Sequence, residues 1–354
     1  MVGKNLLSLD IGNDTIKIVS GWANKKNIIL NEYGIINTPD DCINDGMITD
    51  ADKLSRVIAE ALKTCKISGK GLVLTVTGTG VITRDIMLPK STEQEITQIL
   101  EFEAQQYFPV NLKDYTVDFK VMENIEDQIR VLVVAAPNKQ IDSYISLSKH
   151  LKLQIAAIDI PSNCILKLLS YSPIYGNETT EEYAVVDIGK DTSGVCFFRN
   201  NVLKFSRILL NGVSEIDSII ANKYNLEYKN AEELKKAFRG FSDSRPESHG
   251  NDSFDDLGEV IRGSLDNLVA DLNRFIEFYN SRDNLNNVEK IYVYGGGSKL
   301  AGITEYFSNN FNMPVLQFPL LQEIVYKGRK EKDLFQNDYP FLINAIGGLV
   351  RAFK

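Results

Sequence analysis

The sequence predicts an α/β protein, and three patterns along the chain lead to this prediction. A short strand–turn–strand motif occurs twice, at residues 9–15 and 186–192. Predicted strands and helices alternate from the N-terminus to about residue 157. A third turn, rich in glycine, follows a predicted strand at residues 295–298. Alternation of this kind is typical of sheets that bury their apolar faces against helices.

The repeated motif consists of two apolar strands joined by a polar turn. Residues 10–15 and 187–192 are identical at five of six positions, and apolar residues precede and follow both copies. Each copy is therefore predicted to be a β-hairpin.

The turns of these hairpins have the chemistry of a phosphate-binding site. Gly12 and Gly189 permit close backbone approach, and consecutive N–H groups in such a turn can bind an anion. Asp10 and Asp187 stand at strand ends, where a carboxylate can hold hydrated Mg²⁺. Two such turns facing each other would grip a polyphosphate from both sides. For either copy alone, an ordinary hairpin whose Asp and Thr cap the turn is the simpler interpretation.

The glycine turn offers a second kind of backbone donor site. A β-patterned run at 290–294 leads into it, and a helix is predicted from about residue 300 to 307. A strand, a glycine turn and a helix N-terminus together can accommodate a ring or a phosphate. The alternative is a plain loop leading into a helix, although three consecutive glycines carry an entropic cost that such a loop does not need.

The middle of the chain predicts a small inserted α/β unit between residue 78 and about 157. Its strand, helix, strand, strand, helix, strand pattern spans 81–87, 93–107, 116–123, 129–135, 139–151 and 154–160. Helices are also predicted at about 51–65, 162–169 and 257–279. Residues 171–182 and 240–252 are predicted loops, and His249 is then a surface residue.

Composition narrows the class of protein. The chain has 354 residues, 44% of them hydrophobic, which is enough for two to four compact units. A net charge of −8 makes nucleic acid an unfavourable partner. Four scattered cysteines and two histidines provide neither a zinc cluster nor a histidine triad. With no membrane-length apolar run and no signal peptide, we expect a cytoplasmic protein that reaches a membrane only through a partner.

The order of these motifs resembles the actin-like ATPase superfamily. Two hairpins, a glycine turn and a closing helix at 343–348 follow one another as in that superfamily. Residues 81–89 and 101–109 resemble, more narrowly, the PilM family of cytoplasmic actin-like proteins of type IV pilus assembly.

This resemblance implies an actin-like ATPase fold with two domains flanking a nucleotide cleft. A small inserted α/β subdomain, of the type found in FtsA and PilM, would bind a partner. The implied boundaries are 1–77 with 158–184 and 338–354 for the first domain, 78–157 for the inserted subdomain and 185–337 for the second domain.

The resemblance also implies ATP and Mg²⁺ as cofactors. Asp10 and Asp187 would hold Mg²⁺ and its water shell, and they are the candidate catalytic residues. The implied phosphate contacts are Asn13, Asp14, Thr15, Lys17, Gly189, Lys190, Asp191 and Thr192. The implied adenosine contacts are Gly295, Gly296, Gly297 and Ser298, with Glu232 and Lys235 near the ribose and adenine. For the last two, an exposed helix face is the alternative interpretation.

Hydrolysis is where the sequence departs from the family pattern. Related ATPases often position water with a carboxylate or amide in the first interdomain helix. Pro161 stands where PilM-like sequences commonly have a Glu. Asp159 and Asn163 are the remaining candidates, and either is equally a helix N-terminal group. We therefore expect ATP binding with slow hydrolysis or none.

The resemblance of the inserted unit to that of the PilM family implies which partner the chain binds. In the PilM family, a groove beside it receives the N-terminal cytoplasmic peptide of PilN, a bitopic inner-membrane protein, and pilus assembly ATPases are further candidate partners. We expect Arg84, Tyr107 and Phe108 to border this groove, although each aromatic alone is better explained as a core residue.

Two other functions fit the same superfamily. An FtsA-like division protein shares the inserted subdomain but carries a C-terminal membrane helix, whereas residues 350–354 follow directly on the closing helix. We therefore expect no direct membrane insertion. A small-molecule kinase would need a general-base Asp facing an acceptor pocket, and no residue can be singled out for that role.

Overall fold

The computed structural model describes residues 5–172, 174, 182–241, 252–283 and 287–351. Most of the two predicted loops, including His249, and residues 352–354 at the C-terminus lie outside this part of the chain. Its strands, in chain order, are β1 (Leu6–Ile11), β2 (Thr15–Ala23), β3 (Ile28–Asn37), β4 (Ile43–Asn44), β5 (Met47–Ile48), β6 (Leu72–Thr75), β7 (Ile82–Pro89), β8 (Tyr115–Ile125), β9 (Gln128–Pro137), β10 (Ile155–Asp159), β11 (Glu182–Ile188), β12 (Ser193–Arg199), β13 (Val202–Leu209), β14 (Lys290–Tyr294), β15 (Val315–Gln317) and β16 (Ile324–Tyr326). Its α-helices are α1 (Ala51–Thr64), α2 (Glu93–Tyr107), α3 (Asn138–Leu151), α4 (Pro161–Tyr171), α5 (Ser214–Tyr224), α6 (Tyr228–Ala237), α7 (Asp252–Ser281), α8 (Ile303–Phe311) and α9 (Lys332–Leu349).

Apart from β16, the two large sheets are built from their strands in the same order and with the same pattern of antiparallel and parallel pairing. In the first, β1, β2 and β3 are antiparallel neighbours, and β6 and β10 extend the other side of β1 in parallel. In the second, β11, β12 and β13 are antiparallel, and β14 and β15 extend the other side of β11 in parallel. The two copies of the repeated motif therefore open equivalent sheets, and both predicted hairpins are confirmed.

A three-stranded antiparallel sheet in the order β7-β9-β8 forms the middle of the chain. Helix α2 packs on it through Ile96, Leu100 and Ala104. Thr92 begins this helix with a capping box, in which its hydroxyl accepts from the Glu95 N–H while the Glu95 carboxylate accepts from the Thr92 N–H. The helix has the bounds that the sequence predicts.

The last two predicted elements of the inserted unit lie elsewhere. Strand β10 pairs in parallel with β6, and α3 packs against α1 on the first sheet. The boundary expected at residue 157 thus falls inside a strand of the six-stranded sheet.

Helices α4 and α9 pack against each other between the two large sheets. A Cβ atom at Gly347 would overlap the backbone of Cys164 in α4, and one at Gly348 would overlap Ser8 in β1. Gly347 and Gly348 therefore let α9 pack closely against α4 and β1. The inner face of α9 consequently lies at the junction of the two sheets. None of the helices in the described residues combines the length and apolarity of a membrane span.

Candidate nucleotide-binding site

A cleft of about 1480 Å³ separates the two large sheets. Both hairpin turns, the glycine turn after β14, helix α6 and the first turn of α4 line it. The structure thus brings together most of the residues that the sequence predicts for a nucleotide site.

The two hairpin turns contact each other across this cleft. Asn13 donates to the carboxylate of Asp191 at 2.6 Å, and Lys190 pairs with Asp14 at 3.0 Å. Each turn is closed by the same backbone hydrogen bond, from Gly12 N–H to Thr15 in one and from Gly189 N–H to Thr192 in the other. The turns are therefore equivalent in structure as well as in sequence, and their polar tips share one space.

Asp10 and Asp187 meet at the floor of the cleft, at the ends of β1 and β11. Asn344 of α9 donates to Asp187 at 3.0 Å, and the hydroxyl of Tyr294 donates to Asn344 at 2.9 Å. Burial raises the pKa of Asp10. Burial, together with the charge of Asp10, raises the pKa of Asp187 to about 6. The nearby Lys17 favours the charged form of both carboxylates but does not cancel these effects.

This pair of carboxylates fits Mg²⁺ bound together with a phosphate. Two buried like charges repel each other, and a cation between them would relieve that repulsion. Among the described residues, no group of three or more His, Cys, Asp or Glu side chains could hold a metal. Mg²⁺ commonly takes one or two carboxylates and completes its shell with water and substrate phosphates.

The glycine turn presses against the end of β11. Gly295 has φ 85° and ψ 175°, and a Cβ there would overlap the carboxylate of Asp187. A Cβ at Gly297 would overlap Ile188. Gly295, Gly296 and Gly297 line the cleft. Ser298 is buried and donates back to the carbonyl of Gly295 at 2.8 Å, so its hydroxyl holds the turn together.

Helix α6 contributes Glu232 and Lys235 to the cleft wall. Lys235 forms an ion pair at 2.6 Å with Asp217 of α5, and both side chains are largely buried. Glu232 pairs with Lys236 one turn along. A buried interhelical pair at Lys235 is not what an exposed helix face would provide, so Lys235 is a fixed part of the wall.

The start of α4 places Pro161 and Ser162 in the cleft. Asp159 lies behind it, with its carboxylate bound by Lys167 at 2.5 Å and by the Asn163 amide at 2.7 Å. Burial acts to raise the pKa of Asp159, but Lys167 and the hydrogen bonds outweigh it and lower the pKa. Both candidate substitutes for a catalytic Glu are therefore engaged in holding α4.

The three residues expected at the partner groove differ in how deeply they are buried. Phe108 is 3% exposed within the core of the three-stranded unit, and Tyr107 packs partly against that core. Arg84 donates to the carbonyl of Tyr107 at 3.0 Å and lies over the Phe108 ring. The expectation that Phe108 borders a surface groove is corrected: its ring is a core element.

Sequence patterns alone do not assign three further residues to the site: Asn344, Tyr294 and Asp217. Asn344 is the polar exception in the apolar run 342–346, which is a signal that sequence could have supplied. Tyr294 ends a buried strand, and Asp217 lies in the first turn of a helix, so neither stands out by pattern.

The family model of the type IV pilus assembly protein PilM matches residues 8–353. The chain belongs to the PilM family. A solved PilM–PilN type IV pilus biogenesis complex is similar to it with a TM-score of 0.83 and 23% identity over 97% of both chains.

More distant structures share the fold of this PilM-family chain. The ethanolamine utilization protein EutJ from Carboxydothermus hydrogenoformans is 14% identical, with a TM-score of 0.57 over 98% of this chain and 88% of its own. MreB 5 of Spiroplasma citri bound to AMPPNP is also 14% identical, with a TM-score of 0.54 over 97% of this chain and 94% of its own. The predicted actin-like fold is confirmed, and the PilM match favours neither the division-protein nor the kinase alternative.

Proposed function

We propose that this PilM-family chain is a cytoplasmic, ATP-binding scaffold of the type IV pilus assembly platform. It binds ATP and Mg²⁺ between the hairpins and hydrolyses ATP slowly or not at all. It also binds the N-terminal cytoplasmic peptide of a PilN-type membrane protein. The observation that carries the nucleotide proposal is the meeting of two equivalent hairpin turns over Asp10 and Asp187.

The hairpins supply the phosphate contacts. Both turns line the shared space, where their backbone N–H groups would donate to phosphate oxygens, and Lys17 and Lys190 add positive charge beside them. The contacts between Asn13 and Asp191 and between Asp14 and Lys190 are partly exposed, so they cost little to exchange for phosphate contacts.

Asp10 and Asp187 would hold Mg²⁺, which neutralises phosphate charge when it is bound. Asn344 keeps the Asp187 carboxylate oriented, and Tyr294 in turn fixes the Asn344 amide. On the adenosine side, Gly295 to Gly297 leave room for a ring, and Lys235 and Glu232 line the same cleft.

The residues at the start of α4 support the proposal of slow hydrolysis. Pro161 faces the cleft where a side chain that orients water would be needed, and Asp159 is already bound by Lys167. Multiple-turnover phosphate release at about 1 s⁻¹ or faster, abolished by Asp187→Ala, would contradict this part of the proposal.

The domain assignment is part of this proposal, with the inserted unit ending near residue 137 instead of 157.

The PilM–PilN complex that the chain resembles supports a PilN-type partner. The cleft continues past the hairpins along residues 76–84, where the chain enters the inserted unit. An extended peptide suits such a groove. We assign its border to Arg84 and Tyr107.

The experiment that tests the partner is fluorescence anisotropy of a labelled PilN-type N-terminal peptide. Wild-type protein should bind it saturably, and Arg84→Ala should weaken binding at least about tenfold, since it removes a guanidinium from the groove wall. Lys149→Ala, on an exposed face of α3, is the matched control. Unchanged affinity in a folded Arg84→Ala variant would reject the assigned groove.

A further inference from the structure

A second, smaller pocket of about 220 Å³ lies where β7 of the inserted unit meets β13 and the end of α7. Three arginines converge on it, each from a different element: Arg84 from β7, Arg207 from β13 and Arg282 just after α7. Thr83 and Ser206 join the two strands there at 3.2 Å. The pocket thus lies at a junction between separate parts of the fold. It adjoins the cleft, since Thr83, Arg84, Ser206 and Arg207 line both, whereas Phe278 and Arg282 line the pocket and not the cleft.

The other cations of this pocket region are neutralised. Arg130 pairs with Asp85 and Glu123, and Lys204 pairs with Glu123 at 2.7 Å. Asp85 is the acidic residue in the pocket lining, and both of its oxygens accept from Arg130. Its charge is therefore engaged mainly by Arg130, with weaker electrostatic contributions from Arg282 and Lys204.

The three converging arginines lack such partners. Arg84 donates to the carbonyls of Tyr107 and Thr83, and Arg207 donates to the carbonyl of Ser206. Within the described part of the chain, none of Arg84, Arg207 and Arg282 forms an ion pair with a carboxylate. Burial and the charges of Arg84 and Arg282 lower the pKa of Arg207 to about 10. The cluster is a concentration of positive charge that an anion would stabilise.

Aromatic rings fix how these guanidinium groups are presented. Arg207 lies 4.2 Å from the centroid of the Phe205 ring, and Arg282 lies within 5.8 Å of both Phe205 and Phe278. A guanidinium that stacks on a ring keeps its N–H edges free, and those edges match a carboxylate in bidentate geometry. Phe278 is 47% exposed at the rim, which adds an apolar contact surface beside the charges.

We propose that this pocket binds an acidic peptide segment of a protein partner. A carboxylate of the segment lies between Arg207 and Arg282, and a neighbouring apolar side chain packs on Phe278. A free phosphate would use the arginines but leave the exposed ring uncovered. Since the chain as a whole carries a net charge of −8, an acidic segment is repelled elsewhere and selected here.

The test uses a fluorescein-labelled peptide in which glutamates flank a single phenylalanine, with a counterpart in which every glutamate is glutamine. Anisotropy titrations should give saturable binding of the glutamate peptide to the wild-type protein. Binding should fall at least about tenfold for the glutamine peptide and for the Arg207→Gln/Arg282→Gln variant. The Lys25→Gln/Lys26→Gln variant, which loses the same charge at the exposed β2–β3 turn, should bind as wild type.

Three results would overturn the proposal. They are an absence of saturable wild-type binding, equal binding by the arginine variant, and displacement of the peptide by inorganic phosphate at similar concentration, which would indicate a small-anion site. If thermal melting finds the double variant unfolded, Arg282→Gln alone decides the question, because Arg282 is exposed and its loss leaves the core intact.

Discussion

At the scale of single residues, the site contains two buried carboxylates, Asp10 and Asp187, whose ionisation costs free energy in the folded protein. Asp187 lies beside Asp10 with its pKa raised to about 6, so its ionised form is disfavoured in the protein relative to the unfolded chain. The Asn344 amide, which donates to Asp187, offsets part of this cost. Cation binding would offset more, which would tie the stability of this residue pair to the proposed function.

Asp187→Asn should therefore stabilise the nucleotide-free protein at pH 7–8, by about 1–3 kcal/mol. Between about pH 4 and 6 the folded state holds a proton on Asp187 that the unfolded state has lost, so wild-type stability falls as pH rises through this window. The variant should lose that part of the slope in denaturant unfolding measured across pH. Asp52→Asn, on the exposed face of α1, should keep the wild-type slope, and an unchanged slope for Asp187→Asn would reject the assignment.

Gly295→Ala should lower the free energy of unfolding by about 1–3 kcal/mol or more. The backbone conformation there is essentially restricted to glycine, and the added methyl would overlap the Asp187 carboxylate. Gly263→Ala is a matched control, because a Cβ at Gly263 meets nothing within 4 Å. In helix α7 that change should stabilise by about 0.5–1 kcal/mol. Thermal or denaturant melts of both variants distinguish the two outcomes.

At the scale of elements, local sequence patterns predict the hairpins and helices, but they do not predict which distant strands pair. The two hairpins and α2 could be predicted because their apolar periodicity, turns and caps are contained within short stretches. The pairing of β10 with β6 joins strands about eighty residues apart, and the hydrogen bond from Asn344 to Asp187 spans 157 positions. No local pattern carries such information, so neither the pairing of β10 with β6 nor the contact of Asn344 with Asp187 can be predicted from the sequence.

Phe108→Ala should lower the free energy of unfolding by about 3–5 kcal/mol, since it empties a core position at the end of α2. Phe102→Ala, on the same helix, should change it by less than about 0.5 kcal/mol, because Phe102 is 85% exposed. Chemical denaturation of the two variants makes the comparison. Near-equal effects would mean that Phe108 is not the core residue described above.

At the scale of the whole molecule, one cleft runs from the hairpins to the inserted unit. It is lined at one end by Asp187 and the glycine turn, and at the other by residues 76–84. A nucleotide that draws the hairpins together would change the width of the groove at the inserted unit. Two ligands in one continuous cleft are therefore expected to be energetically coupled.

Mg-ATP should change the affinity for the PilN-type peptide by about fivefold or more, and the peptide should change the affinity for Mg-ATP by the same factor. Anisotropy titrations of the peptide with and without Mg-ATP, and nucleotide titrations with and without peptide, measure both directions. Identical affinities in both directions would mean that the two ligands bind independently.

The most direct test of the account is calorimetric titration of Mg-ATP into the wild-type protein and into Lys17→Ala and Lys190→Ala, one variant for each hairpin. The account predicts one nucleotide per chain and an affinity that falls at least about tenfold in either variant, because both hairpins bind the same phosphates. Lys149→Ala should match the wild type. Full affinity in either hairpin variant would contradict a single site shared by the two turns.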